Sequence, residues 1–344
     1  MQRALPELWY GDSSAALWLQ PLASLYGAVT AARRGLYAVR WLPSYKVGRP
    51  VVVVGNLTVG GTGKTPLVAW LAEKLTERRL SVGILSRGYG SSGEGPRLVE
   101  PTSDWRQVGD EPMLLRQRTQ CHVMVARDRL AGARALVDRR VDVILADDGL
   151  QHLRLARDCE VIVVDGARGF GNGRLLPAGP LRDPVSELSR ADLIVLNGPA
   201  MHASLRPFAP LLEERSVQMT LMPGNVVPMD GRGLVSTLDD FRDQRVHAVA
   251  GIGNPARFFG ELRVRGLEIV EHAFPDHHPF TAADLEFGDG APVLMTEKDA
   301  VKCRAFANAR LWYVPVTARF SDAHAARILE RVVDKLGFAL NVKG

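Results

Sequence analysis

The chain has 344 residues, of which 46% are hydrophobic and 24% are charged, and this balance excludes a disordered or a fibrous protein. Its 43 Lys and Arg residues exceed its 38 Asp and Glu residues by five, too small an excess for a protein that mainly neutralises nucleic-acid phosphates, so we expect no nucleic-acid partner. Its three cysteines lie far apart in sequence and exclude a disulfide framework or a thiolate metal site, which fits a reducing compartment.

Residues 1–42 are expected to form a helical segment that lies in a membrane interface. Residues 13–32 carry no charge, but Gln20, Pro21 and Gly27 interrupt the apolarity that a membrane-spanning helix of about 20 residues requires. Aromatic and basic side chains suit the boundary between acyl chains and anionic headgroups. The segment contains Trp9, Trp18, Arg33, Arg34, Tyr37, Arg40 and Trp41. A helical hairpin packed on the body of a soluble protein is the alternative.

Residues 51–66 read VVVVGNLTVGGTGKTP and predict a buried strand, a phosphate-binding loop and the start of a helix. Glycines let successive backbone N–H groups turn towards phosphates, and the helix N-terminus adds a partial positive charge. Lys64 is expected to reach the β- and γ-phosphates, and the Thr65 hydroxyl to ligate Mg²⁺. Thr58 replaces the first glycine of the usual pattern, which indicates a variant loop. The predicted nucleotide-binding residues are Thr58, Val59, Gly60, Gly61, Thr62, Gly63, Lys64 and Thr65.

Apolar runs of strand length then alternate with helix-period segments, which is typical of an α/β fold. Residues 43–212 are predicted to form a P-loop NTPase-like domain with a mostly parallel sheet covered on both faces. Residues 213–233 contain two short strand-like pieces around a Pro-Gly-Asn turn and are interpreted as a β-hairpin linker. Residues 234–344 are predicted to form a second, smaller α/β domain.

Two adjacent carboxylates, Asp147 and Asp148, end the apolar run 143–147. A magnesium-nucleotide site needs a carboxylate at the end of a neighbouring strand, and both aspartates are candidates for the metal. Because successive side chains of a strand point to opposite faces, we expect different roles, with Asp147 at the metal or its waters and Asp148 sharing it. Two carboxylates at a buried strand end would be unfavourable without a cation. A solvated turn is the alternative.

Phosphoryl transfer to a hydroxyl also needs a base near the nucleophile, and the residues alone leave its identity open. Asp110 begins an apolar helical stretch and most simply reads as a helix N-cap. The triplet Asp276, His277 and His278 could hold a metal, but no matching ligand set lies elsewhere in the chain.

Seven motifs together resemble a known family, the tetraacyldisaccharide 4'-kinases, or lipid A 4'-kinases, of Gram-negative bacteria. They are GNLTVGGTGKTP (55–66), LSRGYG (85–90), VGDEP (108–112), DDGLQH (147–152), LLPAGPLRDP (175–184), FPDHHPFT (274–281) and MTEKDAVKC (295–303). The resemblance implies ATP- and Mg²⁺-dependent phosphorylation of the 4'-hydroxyl of a tetraacyldisaccharide 1-phosphate, a lipid A precursor. It also implies two α/β domains with the nucleotide between them, at the cytoplasmic face of the bacterial inner membrane, and no obligate protein partner.

The resemblance assigns roles that the residues alone left open. It implies that Asp110 is the general base and that His277 is its partner. Lys64 of the phosphate loop is the third predicted catalytic residue. It indicates that Arg87, Tyr89 and Arg182 contact the acceptor or its phosphates.

A second hypothesis is a partitioning- or chaperone-type switch ATPase, which would use the nucleotide to change shape. Such proteins share the sequence GGTGKT but carry a lysine just before its two glycines, where this chain has Val59. The aspartate pair and the basic, aromatic N-terminus favour the lipid kinase.

Overall fold

The computed structural model describes residues 8–11, 15–88, 95–231 and 234–337. The strands are β1 Val51–Gly55, β2 Val82–Ser86, β3 Arg97–Leu98, β4 His122–Val125, β5 Val143–Asp147, β6 Cys159–Asp165, β7 Leu193–Asn197, β8 Ser216–Pro223, β9 Val227–Pro228, β10 Arg245–Ala250, β11 Glu268–Ala273, β12 Val293–Thr296, β13 Leu311–Val314 and β14 Val316–Arg319. The helices are α1 Ala15–Trp18, α2 Gln20–Ala38, α3 Lys64–Glu77, α4 Trp105–Val108, α5 Asp110–Thr119, α6 Arg129–Asp138, α7 Ala209–Arg215, α8 Pro255–Val264, α9 Glu297–Cys303 and α10 Asp322–Leu336.

The strands form two sheets. The nine-stranded sheet has the order β14-β8-β7-β6-β1-β5-β2-β4-β3, and the five-stranded sheet has the order β11-β10-β12-β13-β9. In the larger sheet only the two edge pairs, β3 with β4 and β14 with β8, are antiparallel. This architecture confirms the predicted α/β class, with a large, mostly parallel sheet and a second, smaller one.

The central strand β1 is apolar on both faces because helices cover both faces of the large sheet. All four valines of 51–54 are at most 1% exposed. Val52 and Val54 pack in one core with Leu71 of α3, whereas Val51 and Val53 pack in another with Leu136 of α6. Because side chains alternate between the two faces of a strand, β1 contributes to the cores on both sides of the sheet.

The strand order creates a crevice at the carboxyl end of β1, which lies between β5 and β6. The register pairs Val54 with Asp147, the last residue of β5, and pairs Asp165 with Asn197 at the ends of β6 and β7. In open α/β sheets ligands bind at this edge, where neighbouring connections diverge. The fold therefore gathers the polar strand ends around the loop that follows β1.

The predicted hairpin at 213–233 differs from the structure, because β8 and β9 do not pair with each other. β8 pairs with β7 and β14 in the large sheet, whereas β9 pairs with β13 in the small sheet. The physical reason is that residues 311–319 run antiparallel beside both strands and supply their hydrogen-bond partners, including Pro315 O for Gly224 N at 2.7 Å. Two chain segments therefore cross between the sheets side by side.

The C-terminal residues also return to the large sheet, although the sequence places them in the second domain. β14 is an edge strand of that sheet, and Ile328 and Val332 of α10 belong to the same core as Val52 and Val54. The amphipathic pattern of α10 specifies a buried face but not which sheet covers it.

Helix α2 lies on the surface, and Ala23 is its one buried residue. Leu22, Leu25 and Val29 are exposed, and the flanking Trp18 and Trp41 are 87% and 82% exposed. Within the described ranges, no helix combines the length and the apolarity needed to cross a membrane.

Replacement of Ile328, which is fully buried, tests the attachment of α10 to the large sheet. Ile328→Ala is expected to lower the free energy of unfolding by about 2–5 kcal/mol, because it leaves a cavity in the core around β1. Urea denaturation followed by circular dichroism measures this change. The exposed Glu330 of the same helix provides the control, and Glu330→Ala is expected to change stability by less than about 0.5 kcal/mol. Equal stability of the two variants would contradict the packing.

Candidate active site

The loop of residues 56–63 connects β1 to α3 and is held in one conformation by its glycines. Gly60 and Gly63 have φ angles of +102° and +96°, which other residues rarely adopt. A methyl group on Gly63 would also lie 2.9 Å from Nδ2 of Asn197. That amide donates a 3.0 Å hydrogen bond to Thr62 O, so the end of β7 supports the loop from outside.

The side chain of Lys64 lies at the mouth of this loop. Its Nζ donates a 3.1 Å hydrogen bond to Asn56 Oδ1 and lies 3.7 Å from Asp148 Oδ1. Asn56 also donates from Nδ2 to Gly60 O at 3.3 Å. An ammonium group beside a glycine loop and a helix N-terminus has the chemistry that suits a phosphate group.

Arg182 lies opposite Lys64 and pairs with Asp148. Its Nη1 and Nη2 donate to the two carboxylate oxygens of Asp148 at 2.8 and 2.7 Å, and Nη2 also donates to Asn56 O at 3.1 Å. Burial alone would raise the pKa of Asp148, but the charges of Lys64 and Arg182 and the hydrogen bond from Arg182 hold it well below its usual range. Asp148 is therefore an anion already neutralised by two cations.

Asp147, the last residue of β5, has a different environment. Its Oδ1 is buried and accepts no hydrogen bond from any residue that the structure describes. Burial and the charge of Glu111 raise the pKa of Asp147 to about 7. A cation would offset this unfavourable burial. Mg²⁺ binds through one or two carboxylates together with phosphates and water, and Thr65 in the first turn of α3 adds a hydroxyl. The residues present therefore fit Mg²⁺, with Asp147 better suited than Asp148 to contact it.

Asp110 is the first residue of α5 and faces the second domain. The N-cap of α5 is Gly109, which has a φ of +94°. The helix therefore begins at Asp110, one residue earlier than the sequence indicated, and the reading of Asp110 as a cap is wrong. Its carboxylate is instead buried against His277, whose Nδ1 lies 2.9 Å from Oδ2 and 3.2 Å from Oδ1.

The contact between Asp110 and His277 shifts both pKa values in the directions of an ion pair. Burial raises the pKa of Asp110, but the hydrogen bond from His277 and the charge of Lys298 outweigh burial and lower it below the usual value. Burial lowers the pKa of His277, but the hydrogen bond to Asp110 outweighs burial and raises it. Both shifts favour the ion pair of a carboxylate and an imidazolium over the two neutral groups.

This pair lies beside the phosphate loop. A methyl group on Gly253, in the connection after β10, would lie 3.4 Å from both Gly61 N and Asp276 Oδ2. The triplet 276–278 does not act as one ligand set, because His278 contacts Asp284 at 3.3 Å whereas Asp276 contacts Lys298 at 3.3 Å. The small sheet thus brings His277 to the loop carried by the large sheet.

Arg87 lies on the connection after β2, whereas Tyr89 lies outside the described residues. The charge of Arg87 acts on Arg129 and His152, which are among the residues that line a cavity of about 380 Å³. Arg129 is buried and donates from Nη2 to Asp147 O at 3.0 Å, but its Nε and Nη1 have no hydrogen-bond partner within the described parts of the chain. Burial lowers the pKa of Arg129 to about 10, and burial, Arg129 and Arg87 lower the pKa of His152 to about 4.

Several residues of the site were not identified from the sequence. Asn56 and Asn197 support the loop, Arg168 contacts Gly61 O, and Lys298 contacts Glu111 at 3.0 Å. Asn197 ends an apolar strand-length run, a signal that could have identified it. Asn56 and Lys298 lie in the motifs GNLTVGGTGKTP and MTEKDAVKC, but no role was assigned to them. The partners of Arg168 and Lys298 are distant in sequence, so their contacts carry no local signal.

Three comparisons relate the chain to known proteins. The family model for tetraacyldisaccharide-1-P 4'-kinase matches residues 15–334. The chain is 48% identical to the tetraacyldisaccharide 4'-kinase of Xanthomonas euvesicatoria pv. vesicatoria, over 95% of each chain. It is also 48% identical to that of Aromatoleum aromaticum, over 96% of this chain and 98% of the relative. The crystal structure of LpxK from Aquifex aeolicus in complex with ATP matches with a TM-score of 0.77 at 28% identity, over 94% of this chain and 100% of that one.

The pair of Asp110 and His277 predicts a pH-dependent contribution to stability. Because the folded-state pKa of His277 is raised, its contribution is complete below the unfolded value of 6.5 and is lost as the pH rises through the raised pKa. Because that of Asp110 is lowered, its contribution is complete above 3.8 and is lost as the pH falls through the lowered pKa.

His277→Ala is therefore expected to lower the free energy of unfolding by about 1.5–3 kcal/mol at pH 6, with a smaller loss at pH 9. Urea denaturation of both proteins across this pH range measures the difference. His324→Ala, which removes an imidazole from α10 outside the contact with Asp110, is the matched control. A loss from His277→Ala that is the same at every pH would argue against the ion pair.

Proposed function

The chain belongs to the tetraacyldisaccharide-1-P 4'-kinase family, and on this basis we propose that it transfers the γ-phosphoryl group of ATP to the 4'-hydroxyl of a tetraacyldisaccharide 1-phosphate. The product is the 1,4'-bisphosphate, so the enzyme acts in lipid A and lipopolysaccharide biosynthesis. The observation that carries the mechanism is the buried carboxylate of Asp110, hydrogen-bonded to His277 beside the phosphate loop. A switch ATPase would not require such a base, and the family membership does not favour it.

Asp110 is the general base in this proposal. Its carboxylate accepts the proton of the 4'-hydroxyl as that oxygen attacks the γ-phosphorus and the bond to the β-phosphate oxygen breaks. A carboxylate alone is a weak base for a sugar hydroxyl, so its orientation and ionisation matter. His277 supports both, since its Nδ1 lies 2.9 Å from Oδ2 and its hydrogen bond lowers the pKa of Asp110.

The phosphate loop holds the donor. Residues 58–65 would surround the phosphates, with the N–H groups of the glycine loop 60–65 as donors, because Val59 N already donates to Pro180 O at 2.8 Å. Lys64 would exchange its contact with Asn56 for the β- and γ-phosphate oxygens. Thr65 and Asp147 would hold Mg²⁺, with Asp148 beside them, and the ion would neutralise charge on the phosphate oxygens during transfer. The partner-free Oδ1 of Asp147 supports this assignment.

The basic cavity supports binding of the acceptor. It is lined by Arg33, Tyr37, Arg127, Asp128, Arg129, Leu130, His152, Arg154 and Leu155. Two guanidinium nitrogens of the buried Arg129, Nε and Nη1, have no partners among the described residues, and a positive charge beside this cavity suits an anionic group such as the phosphate of the acceptor. Arg87, whose charge acts on this cavity, and Arg182, which lies beside Asp148, are the acceptor- or phosphate-binding residues of this proposal.

Helix α2 brings the site to a membrane surface in this proposal. Its exposed side presents Leu22, Leu25 and Val29 to the surroundings, while its opposite side is bonded to the loop that carries Arg182. An exposed apolar face with aromatic flanks suits the boundary of acyl chains and headgroups. The enzyme would then bind monotopically to the cytoplasmic face of the bacterial inner membrane, where an amphiphilic acceptor and ATP can meet.

Asp110→Ala tests the base. With Mg-ATP and the tetraacyldisaccharide 1-phosphate in detergent micelles, this variant is expected to lose about 10²–10⁴-fold in kcat, the usual contribution of general base catalysis. Its affinity for ATP should be unchanged, whereas Lys64→Ala should lose both turnover and ATP affinity. Asp138→Ala, at the exposed end of α6, is the control and should keep both. Weakened ATP binding in Asp110→Ala would argue against base catalysis, and absence of a doubly phosphorylated lipid from the unaltered enzyme would remove the kinase proposal.

Substitutions on the exposed side of α2 test the membrane proposal. A variant with Leu22→Ser, Leu25→Ser and Val29→Ser is expected to stay in the supernatant when centrifuged with anionic phospholipid vesicles, because it lacks the apolar area that inserts. The unaltered protein should sediment with the vesicles. Val264, the last residue of α8, is 85% exposed and lies outside α2. Val264→Ser is therefore the control and should not affect sedimentation. Sedimentation of the triple variant like the unaltered protein would contradict the proposal.

A further inference from the structure

We propose that Lys298 and Lys302 of α9 are positioning residues that keep Asp110 ionised and directed into the site, an inference that rests on the proposed function. The two lysines belong to the second domain, whereas Asp110 belongs to the first. Their Nζ atoms lie 4.0 and 3.9 Å from Asp110 Oδ2. Both cations act on the same oxygen that His277 contacts at 2.9 Å.

The start of α9 fixes the direction of both lysines. Thr296 caps the helix by accepting from Asp299 N at 3.2 Å, and its hydroxyl donates to Asp299 Oδ2 at 2.6 Å. Gly251 N, at the end of β10, donates to the same oxygen at 2.8 Å. Residues four apart lie on one helix face, so Lys298 and Lys302 both face α5. The capped helix thus points two cations across the contact between the domains.

The two lysines differ in what else they contact. Lys298 is shared by three carboxylates, because it also lies 3.0 Å from Glu111 Oε1 and 3.3 Å from Asp276 Oδ1. Burial lowers the pKa of Lys298, but these carboxylates outweigh burial and raise it, so the ammonium stays charged. Lys298 therefore also connects Glu111 to Asp276 across the cleft.

Lys302 has a more restricted environment. Its side chain is 0% exposed, its Nζ lies 2.8 Å from Asp299 Oδ1 at an angle that forms no hydrogen bond, and it lies 5.0 Å above the ring of Phe280. A fully buried ammonium group is unfavourable unless anions surround it. Asp299 and Asp110 are the carboxylates that approach it among the described residues, so its charge acts on Asp110 with little screening by water.

The ionisable groups around Asp110 therefore come from three places. His277 and Asp276 approach from the segment after β11, Lys298, Lys302 and Asp299 come from α9, and Glu111 follows on α5 itself. Burial favours the protonated form of Asp110, and the cations oppose it. Without the lysines, His277 would be the main group keeping the base ready to accept a proton.

The pH dependence of kcat/KM tests this inference. Lys302→Met and Lys298→Gln are each expected to move the acidic limb upward by about one pH unit, and the double variant further, because an opposite charge within about 4–6 Å shifts a carboxyl pKa by 1–3 units. ATP affinity should not change. Lys335 of α10 forms an ion pair with Asp192 at 2.7 Å, away from Asp110. Lys335→Met is the control and should leave the pH profile unchanged.

A background without the base separates positioning from a structural role. In Asp110→Asn, Lys302→Met should cause no further loss of turnover. An equal loss in both backgrounds, or a loss at every pH without movement of the acidic limb, would overturn the inference. Lys298, which is less buried, keeps it testable if Lys302→Met fails to fold.

A titration independent of activity distinguishes this inference from the proposed function. Removal of Lys298 should raise the pKa of His277 measured by NMR, because the charge of Lys298, which lowers that pKa, is lost. If the unaltered enzyme gives no acceptor-dependent product but this pKa rises, the proposed function fails and the electrostatic contact stands. If the enzyme phosphorylates the acceptor but neither the pKa nor the pH profile changes, the inference alone fails.

Discussion

The buried carboxylate of Asp110 is stabilised by contacts between the two domains. It is carried by the first domain, yet its hydrogen-bond partner His277 and the cations Lys298 and Lys302 come from the second. A carboxylate removed from water is unfavourable as an anion unless such groups surround it. The base of the proposed reaction therefore has its stabilising partners only when the two domains are in contact. The contact between the domains is needed both to bury Asp110 and to keep it ionised.

The same constraint explains how the other carboxylates of the site differ. Asp148 is neutralised by Arg182 and Lys64, whereas its neighbour Asp147 points one oxygen into a buried space without a hydrogen-bond partner in the described structure. Asp147 ends β5, whereas Asp148 lies in the turn that follows with a φ of +51°, and the surrounding cations then determine their chemistry. One aspartate is suited to position the arginine and lysine, and the other is suited to a metal bound with the nucleotide.

A third set of charges connects the exposed helix α2 to this site. Arg34 donates to Asp183 Oδ1 at 2.8 Å, and Gln151 donates to the other oxygen of that buried carboxylate at 2.6 Å. Tyr26 donates to Arg182 O at 2.9 Å. The side of α2 that faces the protein is thus bonded to the segments next to Asp148, while its apolar side is exposed. A surface that binds the apolar side of α2 would therefore also determine the distance between that surface and Asp148.

The sequence by itself determined the features that depend on neighbouring residues. Glycine spacing and a valine run predicted the phosphate loop, alternating strands and helices predicted the α/β fold, and a strand-end pair predicted Asp147 and Asp148 at the loop. The hairpin at 213–233 and the placement of α10 were not predicted correctly, since each depends on a distant partner. The reading of Asp110 as a cap was wrong because the adjacent Gly109 is the N-cap. Lys298 and Lys302 lie in the motif MTEKDAVKC, but their contacts were not predicted, because Lys298 comes 187 positions after Glu111 in the chain. Only the tertiary structure decided which cations surround each carboxylate, because charge acts through distance in space and not along the chain.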